Sequence, residues 1–256
     1  IIQTDLNISL ISLPLLLFTI AVIIASIFTW FTPYIWPRDK TAAILNYSAG
    51  TGNTGYFGLP VIASILGNEM LGITVLATLG LIIYENTYGY FLVARGQYSF
   101  RESVIKVLAV PTVYAATLAI VLNALQFSLS SSLVAIFEQF KGSYTILGMM
   151  IIGLGLSQAT RQAWDTKFIS LSFLAKFIIW PGVILMILTI DTLYLNFYSS
   201  AIHQVLTILA CVPLAANTVV VASQLKAQPE KAAVAVLIST LFALFIIPLV
   251  AIFYTN

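Results

Sequence analysis

Charged residues are scarce in this sequence. Only 8% of its 256 residues are charged and 60% are hydrophobic, whereas about 25% of the residues of an ordinary soluble domain are charged. This composition excludes a soluble globular domain. The net charge of +2 is also too small for a protein that binds nucleic acid. The composition therefore predicts an all-α polytopic membrane protein.

Cysteine and histidine are nearly absent as well. Cys211 is the single cysteine and His203 the single histidine, so the chain can form neither an internal disulfide nor a cysteine- or histidine-based metal cluster. No histidine-assisted nucleophile and no pair of carboxylates with catalytic spacing is apparent. The sequence therefore predicts that the protein is not an enzyme and that it has no cofactor.

Long apolar runs fill most of the chain. A transmembrane helix needs about 20 mostly apolar residues, and eight such segments are predicted. They are 8–31, 41–66, 70–94, 104–125, 144–159, 167–190, 202–225 and 232–254. Between the fourth and fifth, Ser128–Phe140 is too polar to span a membrane. It alternates like an interfacial amphipathic helix, and an ordered loop is the other interpretation.

Basic residues concentrate in alternate loops. Nine of the eleven lysines and arginines lie after the first, third, fifth and seventh segments: Arg38, Lys40, Arg95, Arg101, Lys106, Arg161, Lys167, Lys226 and Lys231. The positive-inside rule assigns these loops to the cytoplasm. The rule then predicts a multi-pass protein of the plasma (inner) membrane with its C-terminus outside.

Two of the predicted spans contain residues that interrupt helices. GTGNTGYFGLP (Gly50–Pro60) has four glycines and a proline, and ACVPLAANTVVVASQ (Ala210–Gln224) is the second such segment. Irregular backbone at membrane depth persists only where it is buried in protein or lines a cavity. These segments are therefore candidates for a binding site. The other interpretation is a pair of kinked helices that pack through small residues.

The interrupted segments belong to an internal repeat. A shift of 159 residues places Val61–Gly80 over the segment that starts at Val220. Each segment continues through a short polar loop into an apolar span, and the loop charges put the two loops on opposite sides of the membrane. Similar segments of opposite topology indicate inverted repeats, a common architecture of secondary transporters. The prediction is inverted five-helix repeats with two broken, crossing helices.

The repeat also predicts the domain organisation. Residues 8–95 form the first-repeat transport helices with a crossover at 50–60, and 167–254 form the second-repeat transport helices with a crossover at 210–218. Residues 104–160 form scaffold-like helices. Because the second half has five spans and the first only three, we expect two further helices before Ile1. A genuine eight-span protein with unequal halves is the alternative.

The crossing predicts the chemistry of the site. Ends of half-helices offer partial positive charge to a carboxylate or carbonyl groups to a cation. Gly52 and Gly58 would let the backbone open, and the prolines would leave carbonyls free in the preceding turns. The predicted substrate-binding residues are Asn53, Thr54, Gly55, Pro60, Pro213, Asn217 and Thr218.

Two ionisable residues, Glu85 and Lys176, fall inside predicted spans. Such residues are rare and usually functional, so both are candidates for a coupling or electrostatic role. They could pair with each other, or Glu85 could carry a coupling proton. Snorkelling toward the interface is the alternative. His203, near the start of a span, is predicted to be a surface or packing residue.

Several motifs resemble one transporter family. GNTGYFGLP resembles the fourth helix of the auxin efflux carrier family, KFIIWP (Lys176–Pro181) its eighth, and VPLAANTVVVASQL with ISTLFALFIIPLV its ninth and tenth. That family includes plant auxin exporters and bacterial dicarboxylate permeases. Its fold is similar to those of bile acid sodium symporters and sodium/proton antiporters. The resemblance implies that Asn53 and Pro60 lie on the first crossover and Pro213 and Asn217 on the second. It also implies a mobile transport part and a scaffold with a homodimer contact.

The leading hypothesis is a secondary transporter for a small organic anion, such as a dicarboxylate or an auxin-like carboxylate. It would work by alternating access around the crossed helices, with Lys176 raising the local potential. One alternative is a symporter of the same fold, coupled to Na⁺ or H⁺ through Glu85. Another is a non-transporting membrane sensor that retains the carrier fold. The expected partners are the anion, the bilayer and a second copy of the chain.

Overall fold

The described residues form helices joined by short links, with no β-strand among them. The structure, a computed structural model, describes residues 8–37, 39–109, 130–157 and 163–254, with single residues between 111 and 127. The helices are α1 (Ile8–Ile35), α2 (Lys40–Ala49), α3 (Leu59–Leu66, entered through a π-helical turn, Thr54–Gly58), α4 (Asn68–Arg95), α5 (Phe100–Leu108), α6 (Ser131–Ser157), α7 (Thr166–Leu195), α8 (Ser200–Ala210), α9 (Asn217–Gln224) and α10 (Pro229–Tyr254). The protein is an all-α membrane protein, as its composition predicts.

Four of the described helices are long and apolar enough to cross a membrane, namely α1, α4, α7 and α10. They correspond to the first, third, sixth and eighth predicted spans. Both spans predicted to be broken are broken, as α2 with α3 and α8 with α9. The predicted fourth span, 104–125, begins in α5, but most of it lies outside the described residues.

The polar stretch before the fifth predicted span differs from expectation. Helix α6 runs without a break from Ser131 to Ser157, so the described part of Ser128–Phe140 is continuous with the span predicted to begin at Tyr144. The ordered-loop interpretation is wrong for residues 131–140, and the amphipathic segment is not a separate helix. Gly142 does not end the helix, because an interior glycine costs only about 1 kcal/mol relative to alanine.

The described helices form two units with the same order of elements. In the first unit a long helix, α1, precedes the broken pair α2 and α3, and a second long helix, α4, follows. In the second unit α7 precedes the broken pair α8 and α9, and α10 follows. The links before α4 and α10 both contain left-handed backbone, at Gly67 (φ 99°) and at Lys226 and Gln228 (φ 50° and 56°). The repeated order matches the self-similarity of the sequence.

The first long helix shows how such helices pack. One face of α1 is buried, with Leu13, Leu17 and Phe28 nearly inaccessible, while Ile23 and Trp30 on the other face are exposed. An apolar residue on an exposed face is expected where the neighbour is lipid rather than water. Helix α4 approaches α1 closely at Gly80, where a Cβ atom would collide with the Pro14 carbonyl. Part of the core therefore lies between the two long helices of the first unit, and the same core extends to α7, α8 and α10 through Trp180, Leu206 and Val236.

A polar cluster around Lys231 joins the starts of three helices. The Lys231 Nζ atom lies 3.0 Å from Asp165 Oδ2, 2.9 Å from Thr41 Oγ1 and 3.9 Å from Asp39 Oδ2. Asp39 caps α2 by accepting from the Thr41 amide, and Asp165 caps α7 by accepting from the Phe168 amide. Partial burial opposes ionisation of both aspartates, but these hydrogen bonds and Lys231 outweigh it and hold the pKa of each below its usual range.

Two neighbouring side chains hold the end of α9. Lys40 Nζ donates to Gln97 Oε1 at 2.9 Å and to the Lys226 carbonyl at 3.1 Å. The Gln97 Nε2 atom donates to the Leu225 carbonyl. Carbonyl groups at the end of a helix have no partner within it, so these bonds satisfy them. The ends of α2 and α9 that lie away from the breaks are thereby fixed to one another.

We expect Lys231→Met to destabilise the protein by about 1–2 kcal/mol, because two capping carboxylates lose a charged donor. Both aspartates have lowered pKa values, so this stabilisation is present at neutral pH and is lost as the pH falls through the folded-state pKa values. The difference in Tm between wild type and variant in detergent should shrink toward low pH. Lys226→Met is the control, since the exposed Lys226 contributes only its backbone carbonyl. An equal loss of stability in both variants would contradict the role of the cluster.

Candidate functional site

The two broken helices meet at their interruptions. Residues 50–53 separate α2 from the turn that leads into α3, and residues 211–216 separate α8 from α9. The amide of Asn53 donates to the carbonyl of Pro213 at 2.8 Å. Both interruptions are buried. Irregular backbone thus lies inside the protein and not against lipid, in accordance with the cost of exposed peptide groups there.

Side chains from two long helices satisfy the carbonyls at the end of α2. Trp180 Nε1 on α7 donates to the Ala49 carbonyl at 2.8 Å. The Tyr84 hydroxyl on α4 donates to the carbonyls of Asn46 and Tyr47, at 3.3 and 3.1 Å. Both aromatic side chains are fully buried. The first interruption is therefore held by α4 from its own unit and by α7 from the other unit.

Ser239 forms a hydrogen bond with the backbone of the second interruption. Its Oγ atom accepts from the Leu214 amide at 3.1 Å and donates to the Val236 carbonyl at 2.9 Å. Ser239 lies on α10 and is fully buried. A backbone amide that the break leaves without a helical partner is thereby satisfied.

A cavity of about 210 Å³ lies at the crossing. Both interruptions and one face of α4 form its wall. Its lining residues are Gly52, Asn53, Thr54, Gly55, Tyr56, Leu59, Val75, Thr78, Leu79, Ile82, Glu85, Ala215, Ala216 and Asn217. A mostly apolar wall with a few convergent polar groups is typical of small-molecule sites.

Two helical segments begin at this cavity. The Asn53 side chain caps the π-helical turn by accepting from the Tyr56 amide at 3.2 Å. Helix α9 begins at Asn217, and no side chain caps its first turn. The start of a helix carries partial positive charge and free amide donors. The backbone around the cavity therefore favours negative charge.

Glu85 is the charged residue of the lining and links the two interruptions. Its Oε2 atom accepts from Asn217 Nδ2 at 2.6 Å, and its Oε1 atom accepts from Thr51 Oγ1. The residue is only 6% exposed. One carboxylate thus binds a side chain from the first interruption and another from the second.

Lys176 lies behind the cavity wall at Gly52. A Cβ atom on Gly52 would come within 2.8 Å of Lys176 Cε, and Lys176 Nζ lies 4.8 Å from the centroid of the Trp180 ring. The lysine is 1% exposed, so it does not snorkel. Within the described part of the chain its Nζ atom has no hydrogen-bond partner. Glu85 and Lys176 therefore do not form the direct pair that the sequence left open.

The predicted site residues divide into two groups. One group lines the cavity: Asn53, Thr54, Gly55, Asn217 and Glu85. The other group, Pro60, Pro213, Thr218 and Lys176, does not line it. Pro213 contributes its carbonyl to the crossing, and Thr218 is buried with its hydroxyl unpaired within the described structure.

Pro60 lies farthest from the expected position. It is exposed and contributes to a groove between α3 and α10 instead of the cavity. The reason is helical geometry, because Leu59 lines the cavity and Pro60, the next residue of α3, points about 100° away around the helix axis. Its position in the motif does not bring it to the cavity.

Thr51, Thr78, Tyr84, Trp180 and Ser239 are among the residues of the site that sequence reasoning missed. A signal existed for the two aromatic residues, since a tyrosine or tryptophan in the middle of a span needs a partner for its polar atom. His203 was expected to be a surface or packing residue. The structure instead pairs its Nε2 atom with Oδ2 of the buried Asp191, at 2.8 Å and away from the cavity.

We expect Trp180→Phe to destabilise the protein by about 1–3 kcal/mol, because the buried Ala49 carbonyl loses its donor while the aromatic packing largely remains. Thermal unfolding in detergent measures the effect. Trp164→Phe is the matched control, since Trp164 is 60% exposed. If the two variants unfold at the same temperature, the Trp180 bond does not hold the interruption.

The comparisons with known proteins concern the second unit. Residues 144–256 match the sequence model of the Sodium Bile acid symporter family. Less than half of the chain is matched, but the matched part includes α7, the second broken pair and α10. A search of curated proteins finds no match. The resemblance to auxin efflux carriers remains a prediction. The family match suggests a secondary transporter, and it specifies neither substrate nor mechanism.

Proposed function

We propose that the protein is a secondary transporter for a small organic anion, such as a dicarboxylate or an auxin-like carboxylate, and that the anion binds in the cavity at the crossing. The observation that carries this proposal is the composition of the cavity wall. Each interruption contributes an asparagine and the start of a helical segment to one buried space. The symporter-family match of the second unit supports the transport activity.

The polar groups of the wall suit a carboxylate. The Asn53 side chain uses its oxygen as a cap, which leaves its amide nitrogen to donate to a ligand. Thr54 adds a hydroxyl group to the lining, whereas the Thr78 hydroxyl already donates to the Val75 carbonyl at 2.9 Å. The buried Lys176 behind Gly52 contributes positive potential without entering the cavity. Electrostatic interactions are strong in such a buried site, because the effective dielectric constant is low.

The size of the cavity favours a small ligand. Its volume of about 210 Å³ lies below the several hundred Å³ that are usual for drug-sized ligands. A dicarboxylate of a few carbon atoms fits such a space. A larger acid would place its carboxylate there and extend beyond Gly55, which is exposed at the edge of the wall.

The crossing would move as one body during alternating access. The Asn53–Pro213 bond and the Thr51–Glu85–Asn217 chain join the two interruptions, and the Lys231 cluster joins the other ends of the same helices. Such a body would move against residues 104–160, which we propose as the scaffold. The cavity would then face each side of the membrane in turn, without any change within the crossing itself.

A symporter coupled to a cation is the second candidate. It is favoured by the buried carboxylate of Glu85 in the cavity wall, because an ionisable group inside a membrane protein commonly carries a coupling charge. The sensor hypothesis has no such support, and it differs in one measurable respect. A sensor would bind the anion and give no flux in proteoliposomes.

We expect Asn53→Ala and Asn217→Ala each to reduce uptake of radiolabelled malonate or indole-3-acetate into proteoliposomes at least tenfold. Each variant removes a hydrogen bond to a charged group, worth about 1.5–3 kcal/mol. Asn68→Ala is the control, since Asn68 is exposed at the start of α4 and outside the cavity. Unchanged transport in both cavity variants would refute the site. Wild-type binding without flux would favour the sensor.

A further inference from the structure

The wall of the cavity already contains a carboxylate, that of Glu85. Glu85 accepts hydrogen bonds from the side-chain amide of Asn217, at 2.6 Å, and from the hydroxyl of Thr51. Both Glu85 and Asn217 line the cavity, so a ligand in it would contact both residues. The amide nitrogen of Asn217 gives one of its two N–H groups to Glu85, so a substrate carboxylate that accepts from the same nitrogen would lie beside Glu85.

We infer that the substrate carboxylate binds at the Asn217 amide beside Glu85, and that Glu85 takes up one proton from solvent as the substrate binds. This inference rests on the function proposed above. In the empty protein the ionised Glu85 accepts from Asn217. On binding, the substrate carboxylate accepts from the second N–H of the Asn217 amide, and Glu85 becomes a neutral carboxylic acid beside it.

The charges around the cavity explain why a proton is needed. Lys176 is the buried basic residue of the described structure, and no second one accompanies it. One positive charge balances one carboxylate. A second carboxylate in the same enclosed space would remain unbalanced, and two carboxylates that share a site do not both stay ionised. Uptake of a proton by Glu85 restores the original charge of the site.

The groups that face Glu85 allow it to take up a proton. Asn217 approaches from α9, Thr51 from the first interruption, and Tyr84 precedes Glu85 on its own helix. The charge of Lys176 also acts on Glu85, without a hydrogen bond from its Nζ atom. A protonated Glu85 gains one O–H donor. It can donate that proton to the bound carboxylate while its other oxygen still accepts from the Thr51 hydroxyl, so neither Glu85 nor Thr51 is left without a partner.

The consequence is that substrate and proton travel together. Each bound carboxylate brings one negative charge, and the proton on Glu85 brings one positive charge. Binding of a monocarboxylate then adds no net charge to the site. For a transporter of this kind, the proton gradient would drive accumulation of the anion.

Proton uptake on binding tests the inference directly. Purified protein is titrated with malonate and with indole-3-acetate by calorimetry at about pH 7.5, in buffers of different ionisation enthalpy, where both ligands are ionised. We expect wild type to take up about one proton per ligand and its affinity to fall about tenfold for each unit of rising pH. Glu85→Gln should still bind, take up no proton and show no dependence on pH.

Two controls keep the test independent of folding defects. Glu69→Gln removes an exposed carboxylate outside the cavity and should behave as wild type. If Glu85→Gln does not fold, ligand-induced infrared difference spectra of wild type decide the question. Labelling the protein with ¹³C-glutamate shifts the band of a newly protonated glutamic acid and leaves ligand bands in place. Absence of a shifted band would overturn the inference.

The outcomes separate this inference from the proposed function. Binding of either probe by wild type without proton uptake would overturn the inference and leave the anion site standing. Sodium-dependent binding without proton uptake would likewise assign the neutralising role to Na⁺. Failure of wild type to bind any probe would overturn both the proposed function and the inference.

Discussion

The fold depends on satisfying the backbone of two interrupted helices without water. A peptide group that loses its helical partner inside a membrane protein must find another within the protein. Here the two interruptions supply partners to each other, through the Asn53 amide and the Pro213 carbonyl. Side chains of the long helices form hydrogen bonds with further backbone groups at the interruptions: Trp180 and Tyr84 with carbonyls of α2, and Ser239 with the Leu214 amide. The long helices therefore stabilise the crossing as well as enclose it.

The same requirement creates the cavity. Helices that stop and restart within the protein leave amide groups near its centre. Small residues of both interruptions, such as Gly52, Gly55, Ala215 and Ala216, form part of the wall. Polarity comes from the helix ends and from a few amide and hydroxyl side chains. A site that can hold an anion is therefore a direct result of how the backbone is satisfied.

Much of this architecture could be predicted from the sequence, and the reasons are physical. Hydropathy identifies α1, α4, α7 and α10, because a long apolar run has few other uses. Glycine and proline identify both breaks. The positions of Asn53 and Asn217 at the cavity follow from their place beside those breaks. The continuous helix α6 was not predictable, since Lys141 and Gly142 resemble a link, and helix continuity overrides so weak a signal.

The residues that the sequence did not predict share one property. Thr51, Tyr84, Trp180 and Ser239 act through contacts with residues distant in the chain, and of these only Thr51 lies in a segment that the sequence predicts to be interrupted. Pro60 illustrates the opposite error, because it belongs to the motif but faces another direction around the helix. A motif indicates where the backbone changes course. Which side chains then face inward depends on helical phase and on the partner segment.

Gly52 acquires a different meaning from its contact with Lys176. In the sequence it is a residue that loosens a helix, whereas in the structure its missing side chain is the space that the lysine occupies. Positions 52 and 176 therefore share one fixed volume. In related chains a larger residue at position 52 should accompany a shorter one at position 176, so the pair should vary together. The absence of a side chain at Gly52 therefore leaves room for a positive charge that lies far along the chain.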